Sequence, residues 1–372
     1  MPLAIYPGTF DPFTHGHRHL VEQALAAGLE VVVAVGDNPA KKTLFTVAER
    51  VVLIQHALQD KPHVRVVSFS GLLSHAVAYY GARIVLRGLR NVPDFADNQR
   101  DEDYLLEHGG IAYTPFYVPP LPKFRNTSTT LLKAACAAGA NIAPIASAPV
   151  CRALRLRMLG QQVVGVTGPS GAGKSHLCEA LVAEAKAQGR EAHHINADTL
   201  VHQLYEREAG ADAAAVRAQI AQRVGPEVLD AQGFILRQTL SQKVLQNPQL
   251  LPEIERLVFP VLTLMLQRVL LPLKGLILVD APTLLEAGWL PLVDHTVLWV
   301  GADETLRRER LYTRYGADPA ARMALENPVQ RLHTLNAAIG AELGGWLTET
   351  TSAIAPKDLL ETFLASAPTI SR

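Results

Sequence analysis

The chain has 372 residues, enough for two or three domains that each bury a full core. Its 35 Lys+Arg balance 35 Asp+Glu, and a zero net charge argues against broad nucleic-acid binding while leaving room for local basic pockets. The three cysteines, Cys136, Cys151 and Cys178, form no C-x-x-C pair and read as reduced, buried residues of a cytoplasmic protein. No apolar run approaches ~18 residues and no secretory pattern opens the chain, so neither a membrane span nor a signal peptide is expected.

In chain order, Leu3-Ala4-Ile5-Tyr6 predicts a strand ended by a Pro7-Gly8 turn, with a helical pattern from His19 to Ala27. Strands are expected at Glu30 to Val35, Val64 to Ser68, Arg83 to Arg87 and Ala112 to Val118. Helices are expected over Val47 to Leu58 and Leu72 to Tyr80, and from Ser128 onward. Strands alternating with helices imply a parallel sheet covered on both faces, with ligands beyond the carboxyl ends of the strands. The residues that follow those strands are Thr9, the run Thr14-His15-Gly16-His17, Lys41-Lys42, Arg87-Gly88-Leu89-Arg90, Lys123 and Asn126 to Thr130. Cations and hydroxyl-capped backbone donors at one edge suit several phosphates. His15, His17 and His19 alternate but have no cysteine or carboxylate cluster beside them, which does not favour a metal. Lys41-Lys42 alone reads as a solvated pair.

The Ala-rich stretch from Ala134 to Ala148 and the basic turn Arg152 to Arg157, read as the solvated face of a closing helix, precede a boundary near Gly160. Then Gly168-Pro169-Ser170-Gly171-Ala172-Gly173-Lys174-Ser175 fits G-x-x-x-x-G-K-[ST], between an apolar strand at 162–167 and an amphipathic helix from His176 to Gln188. Glycines let backbone N–H groups close round a phosphate, and the helix N-terminus adds unpaired donors. Lys174 is expected on the β- and γ-phosphates and Ser175 on Mg²⁺. A strand over Ala192 to Asn196 leads to Asp198. Residues 199–270 read as mostly helical with a turn at 230–233. Strands follow at Gly275 to Val279, ending in Asp280, and at His295 to Val300. Arg307, Arg308, Arg310 and Arg314 then crowd one segment, either as a lid over phosphates or as a helix face with Glu304 and Arg308 paired.

Residues 3–135, carrying AIYPGTFDPFTHGH, LRGLRNVPDF and TSTTLLK, resemble the bacterial phosphopantetheine adenylyltransferase family, whose T-x-G-H hallmark is Thr14-His15-Gly16-His17 here. The resemblance implies that His17 and Lys41 stabilise the α-phosphate under attack and that Thr9 orients the attacking phosphate. It implies substrate contacts from Thr9, Lys41, Leu73 and Arg87, and ATP contacts from Thr9, Phe10, His17, Arg90, Ser128, Thr129 and Thr130. Thr127 replaces the family's isoleucine, and the acidic stretch 96–107 departs from it.

Residues 163–312 resemble dephospho-coenzyme A kinase, with Asn196-Ala197-Asp198 to His202 in place of D-A-D-x-x-x-H. The resemblance implies nucleotide binding by Gly168, Gly171, Ala172, Gly173, Lys174, Ser175 and His176. It makes Asp198 the general base for a ribose 3′-hydroxyl, although Asp198 also suits a helix N-cap before Leu200. Departures are Asn196, Phe259 before Pro260, a lid arginine without a secure match (Arg314 or Arg322), and no Asn-Gly turn near Glu349-Thr350-Thr351.

Together the resemblances imply two α/β domains, each a doubly wound parallel sheet: a Rossmann-like nucleotidylyltransferase over 1–159 and a P-loop kinase over 160–372. The implied substrates are 4′-phosphopantetheine, dephospho-coenzyme A and ATP with Mg²⁺, with no nucleic-acid or membrane partner; homo-oligomerisation is allowed and not specified. Two alternatives stay open. One is a fusion of NAD-salvage type, against which Arg87-Gly88-Leu89-Arg90 and the run 280–289 speak. The other is an active adenylyltransferase whose kinase-like half binds ATP as a regulatory module.

Overall fold

The computed structural model describes residues 1–37, 41–89, 113–125, 127–206, 210–316, 327–340 and 344–366. Arg90, Asn126, the stretch 96–107 and Arg322 lie outside them. The chain divides into two compact units, one carried by Met1–Met158 with Gly340–Gly345 and the other by Leu159–Ile339 with Trp346–Ser366.

In the first unit, strands β1 (Leu3–Gly8), β2 (Glu30–Asp37), β3 (Val64–Ser70), β4 (Ile84–Gly88) and β5 (Thr114–Val118) form one sheet in the order β3-β2-β1-β4-β5. Every neighbouring pair is parallel. The reversal of order beside β1 makes its carboxyl end the switch point where such sheets bind ligands. Side chains alternate through β2: Val31, Val33 and Val35 pack with Tyr6, Val21 and Ile54 on one face, and Val32 and Ala34 with Ile5, Val77 and Val85 on the other. Pro7 and Gly8 extend β1 rather than turning it. Their register with Ala34 and Val35 holds, and pairing with β4 ends at Ile5, before Pro7 could interrupt that ladder.

Helix α1 (His15–Ala26) starts four residues before the apolar pattern at His19, because Thr14 caps it. Helix α2 (Val47–Ala57) starts with a Thr46–Glu49 capping box, and α3 (Leu73–Tyr80) and α4 (Thr129–Ala137) follow. The alanine-rich stretch is not a loose linker: Cys136, Ile142, Ala146 and Ala148 are buried inside the first unit. The basic turn belongs to α5 (Ala148–Leu159), and it is not a solvated face. Arg155 is buried, and Arg157 meets Glu49 at 2.7 Å.

In the second unit, β6 (Gln161–Thr167), β7 (Ala192–Asn196), β8 (Gly275–Asp280), β9 (Thr296–Gly301) and β10 (Trp346–Thr351) form a second all-parallel sheet, ordered β10-β9-β6-β8-β7. Helix α6 (Lys174–Ala187) and the closing α13 (Pro356–Ser366) cover one face, where Leu177, Leu181 and Leu360 meet Val164, Leu278 and Leu298. The other face packs on α7 (Ala197–Glu206), α8 (Ala211–Val224) and α10 (Leu250–Leu270), with α9 (Arg237–Gln246) beside them. Pro260 cannot donate within α10. One turn later Thr263 donates to the Phe259 carbonyl at 2.7 Å and accepts from Trp289 Nε1 at 2.8 Å. No helix among the described residues is long and apolar enough to cross a membrane.

Each unit has its own sheet and its own cores, so fragments 1–159 and 160–372 are expected to fold separately. Circular dichroism and amide dispersion of the two purified fragments check this; an unfolded fragment would mean that its stability comes from the other half.

Candidate active sites

At the carboxyl end of β1, Thr14 caps α1 with its Oγ1, which accepts from His17 N–H at 3.4 Å. The reciprocal bond of this capping box is made by an imidazole: Thr14 N–H donates to His17 Nδ1 at 3.0 Å. A ring nitrogen that accepts carries no proton, so the neutral ring holds its proton on Nε2. Phe10 and Phe13 pack round the ring, with centroids at 5.2 and 5.4 Å. Thr14 thus fixes both the tautomer and the tilt of His17.

The loop after β1 is held by two buried charges of opposite sign. Asp11, 8% exposed, accepts from Leu44 N–H at 2.8 Å and Phe45 N–H at 3.0 Å, and pairs with Lys133 of α4 at 2.5 Å. Arg50, 2% exposed, donates to the carbonyls of Thr9 at 2.5 Å, Gly36 at 3.1 Å and Phe45 at 3.2 Å. Burial pushes the Arg50 guanidinium below its ordinary pKa, against the attraction of Asp11. Arg157 binds the Leu44 carbonyl at 3.2 Å and lies 5.4 Å from the Phe45 ring. The segment carrying Lys41 is therefore tied down three residues beyond it, while Lys41 itself is exposed.

Thr9 and Arg87 are half-buried at the ends of β1 and β4, and Leu73 opens α3. Ser128 caps α4 through its hydroxyl, which accepts from Leu131 N–H at 3.0 Å, so Thr129 and Thr130 form the helix's first turn. These residues occupy the ends of β1, β2 and β4 and the start of α4, the side of a parallel sheet on which helix N-termini and loop cations collect. His15 is separate. Its Nε2 lies 3.2 Å from the Ala143 carbonyl, and burial lowers its pKa, so it serves packing.

In the second unit the glycine loop joins β6 to α6. Gly168 has φ +144°, and a side chain there would run into the Val300 carbonyl; Gly173 caps α6 at φ +93°. Only glycine adopts both without strain. Lys174 is 8% exposed and donates to the carbonyls of Gly168 and Pro169, each at 3.0 Å. Ser175 Oγ donates to Asp280 Oδ2 at 2.6 Å. Asp280 ends β8 at 2% exposure, and its Oδ1 is buried without a hydrogen-bond partner. Ala172 is buried within the loop and His176 is exposed on α6. Two arginines of α11 (Glu304–Tyr315) brace the loop's outer side: Arg307 Nε donates to Ser170 O at 2.9 Å, and Arg310 to Gly171 O and Ala172 O at 3.2 Å each. These two bind the loop itself, while Arg308 and Arg314 are exposed.

Asp198 stands exposed in the first turn of α7, and it does not cap that helix. Asn196 does so, its Oδ1 accepting from Asp198 N–H at 2.9 Å. The Asp198 carboxylate thus has no capping duty. One turn along, His202 contacts Arg237 of α9 at 2.6 Å. Arg331 of α12 (Pro328–Gly340) donates to the Pro282 carbonyl and meets Glu286 at 3.1 Å.

Residues 162–335 match the dephospho-CoA kinase family model, and residues 5–135 match a cytidylyltransferase-like family model. A phosphopantetheine adenylyltransferase of Thioalkalivibrio sulfidiphilus is 37% identical over 156 residues, which is 42% of this chain and 98% of that protein. The chain belongs to the phosphopantetheine adenylyltransferase family. The enzyme of that name from Nitrosospira multiformis is 38% identical over 148 residues, covering 38% of this chain and 86% of that protein. One from Methylobacillus flagellatus is 53% identical over 91 residues, covering 24% and 57%. This adenylyltransferase-family unit is fused to a dephospho-CoA kinase domain in a single chain.

Sequence reasoning missed Asp11, Arg50, Arg157 and Asp280 as parts of these sites. Asp11 lay inside the matched N-terminal run and Asp280 ended a strongly apolar strand, both usable signals. Nothing local marks Arg50 or Arg157.

Asp11→Ala is expected to release the Leu44 and Phe45 amides. Their exchange with deuterium, followed by mass spectrometry, should quicken by about 10-fold or more, the scale of a hydrogen bond to a charged group. Unchanged exchange over 41–46 would mean that Arg50 and Arg157 alone hold this segment.

Proposed function

We propose that the chain carries out two successive ATP-dependent transfers: AMP to 4′-phosphopantetheine with release of pyrophosphate, then phosphate to the ribose 3′-hydroxyl of the resulting dephospho-coenzyme A. The observation that carries this reading is the pairing, in one chain, of a T-x-G-H site with a complete phosphate-binding loop. Neither step needs a covalent enzyme intermediate, so the protein's contribution is positioning and charge.

In the first reaction, His17 donates its Nε2 proton as a hydrogen bond to the α-phosphate, because Thr14 occupies Nδ1. Lys41 adds charge to the same phosphate, and Thr9 and Arg87 orient the attacking phosphate, with Leu73 against the pantetheine arm. Phe10 forms the wall of the nucleotide site; Ser128, Thr129 and Thr130 present the α4 N-terminus to the departing pyrophosphate.

In the second reaction, Lys174 exchanges the Gly168 and Pro169 carbonyls for nucleotide phosphate oxygens, and the glycine loop supplies backbone donors. A hydroxyl on Ser175 against a buried carboxylate with an unpartnered oxygen, at a helix N-terminus, is a hard oxygen donor set that suits Mg²⁺. Ser175 and Asp280 would hold that ion, which neutralises charge on the transferred phosphoryl group when bound. Asp198, free of capping, accepts the 3′-hydroxyl proton. The regulatory-module alternative is not favoured: the chain matches the dephospho-CoA kinase family over 162–335, and Lys174 and the Ser175–Asp280 pair are consistent with a working phosphate loop.

His17→Ala is expected to lower AMP transfer by about 10²–10³-fold, the usual loss for one preorganised transition-state donor. Kinase turnover on supplied dephospho-coenzyme A should be unaffected. A pyrophosphate-release assay beside a 3′-phosphorylation assay checks both; near wild-type transfer in the variant would remove His17 from the chemistry.

Asp198→Asn should bind ATP as the wild type does yet lose 3′-phosphorylation by about 10²–10⁴-fold, the usual contribution of a general base. Lys174→Ala should weaken ATP binding itself. Nucleotide titration run alongside turnover separates the two, and full turnover in Asp198→Asn would end the general-base reading.

A further inference from the structure

Beneath the kinase phosphate loop lies a group of side chains that the transfer chemistry does not fully use. Cys178 comes from α6, one turn after Ser175; His194 comes from the middle of β7; and Asp280 ends β8. One sulfur, one imidazole nitrogen and one carboxylate oxygen from these residues all lie within 4.8 Å of one another. His194 Nε2 is 3.6 Å from Asp280 Oδ2, close to the edge of a tetrahedron drawn round an ion with ~2.0–2.1 Å bonds to nitrogen and oxygen.

The surroundings point to a ligand rather than to packing alone. Cys178 is fully buried, and Asp280 is 2% exposed. His194 Nε2 and Asp280 Oδ1 are both buried without a hydrogen-bond partner. Buried polar atoms without a hydrogen-bond partner are costly in a dry protein interior, and these two belong to side chains that adjoin a buried thiol. A divalent ion satisfies both. With the thiol ionised and the imidazole neutral, its two positive charges are balanced by one thiolate and one carboxylate, so no net charge is buried.

We infer that Cys178, His194 and Asp280 form a binding site for a soft divalent cation of the zinc class, distinct from the Mg²⁺ that the kinase reaction takes. Sulfur and imidazole donors exclude Mg²⁺, which demands an octahedron of oxygens. Cys178 is fully buried, and a buried thiol keeps its proton until a metal displaces it. Binding therefore replaces the S–H bond with a sulfur–metal bond and releases one proton to solvent.

The consequence follows from Asp280 belonging to both sets. A soft ion that draws this carboxylate toward Cys178 and His194 takes it from Ser175, and so competes with the catalytic Mg²⁺. This part of the inference rests on the kinase reading above; the binding site does not.

The test uses the full-length protein stripped of metal. Titration with Zn²⁺ against a chromophoric chelator should show tight uptake that Cys178→Ala weakens at least 10-fold, with His194→Gln as a second variant. Loading with Co²⁺ should produce thiolate-to-cobalt charge-transfer absorption, lost in Cys178→Ala and retained in Cys136→Ala and Cys151→Ala. Absence of that absorption in the wild type, or its survival in a folded Cys178→Ala, overturns the site. Zn²⁺ should also inhibit 3′-phosphorylation but not AMP transfer, with relief by excess Mg²⁺ or by Cys178→Ala. Equal inhibition of wild type and variant overturns the competition. A wild type that binds Co²⁺ through sulfur yet never phosphorylates dephospho-coenzyme A would sink the kinase reading and leave the metal site standing.

Discussion

A parallel strand delivers the chain to one edge of its sheet, and the helix that follows starts there with unpaired N–H groups. Both units are built on this constraint. In each, the strand nearest the reversal of sheet order, β1 or β6, runs into the loop proposed to bind phosphate. The two solve the approach to phosphate differently. The first caps its helix with Thr14 and His17, which leaves the His17 Nε2 proton for the proposed contact to phosphate. The second removes side chains altogether, with Gly168 and Gly173 in backbone conformations closed to other residues. A histidine donor is discrete and suits one phosphate at a reacting centre, whereas a glycine cradle spreads several donors over a whole polyphosphate tail.

Each approach leaves backbone groups to be satisfied, and charged side chains do this in both units. Arg50 serves three carbonyls with one guanidinium, and Asp11 takes two amides and an ammonium on one carboxylate. Arg307 and Arg310 serve the outer carbonyls of the glycine loop. A planar fork with five donors fits such clusters better than lysine would. Arg307 and Arg310 are therefore scaffolding for the loop.

Much of this was legible in the residues. Periodicity placed the central strands because they are buried on both faces and read as apolar runs. The glycine loop was legible because its constraint is local: a backbone that must bend and approach closely names its own residues. What escaped were arrangements made by distance. The start of α1 was missed because His17 does work usually left to Glu or Gln, so T-x-x-H did not register as a cap. Strand β10 was passed over because its Thr-Glu-Thr-Thr run is polar; it lies at the sheet edge and needs only one partner, β9. Asn196 looked like a loss beside Asp198 and is the cap that leaves Asp198 unoccupied. Cys178, His194 and Asp280 come from three separate elements, and no spacing rule joins them.

The position of Lys174 ties stability to function. An ammonium at 8% exposure would be badly desolvated alone, and it survives by binding two carbonyls of its own loop. Those bonds hold the shape of the loop, so in the proposed reaction the nucleotide would meet a preorganised site instead of ordering one. Phosphate oxygens are stronger acceptors than carbonyls, because a charge-assisted bond is roughly twice as strong as a neutral one. Exchange of partners therefore favours the bound state without a large rearrangement. Asp280 follows the same logic with opposite sign. Its Oδ2 accepts from the Ser175 hydroxyl, a bond that the proposed cation would replace. A site whose resting bonds resemble its working bonds loses little entropy on binding. The same economy makes the second unit sensitive to any ion that competes for one carboxylate.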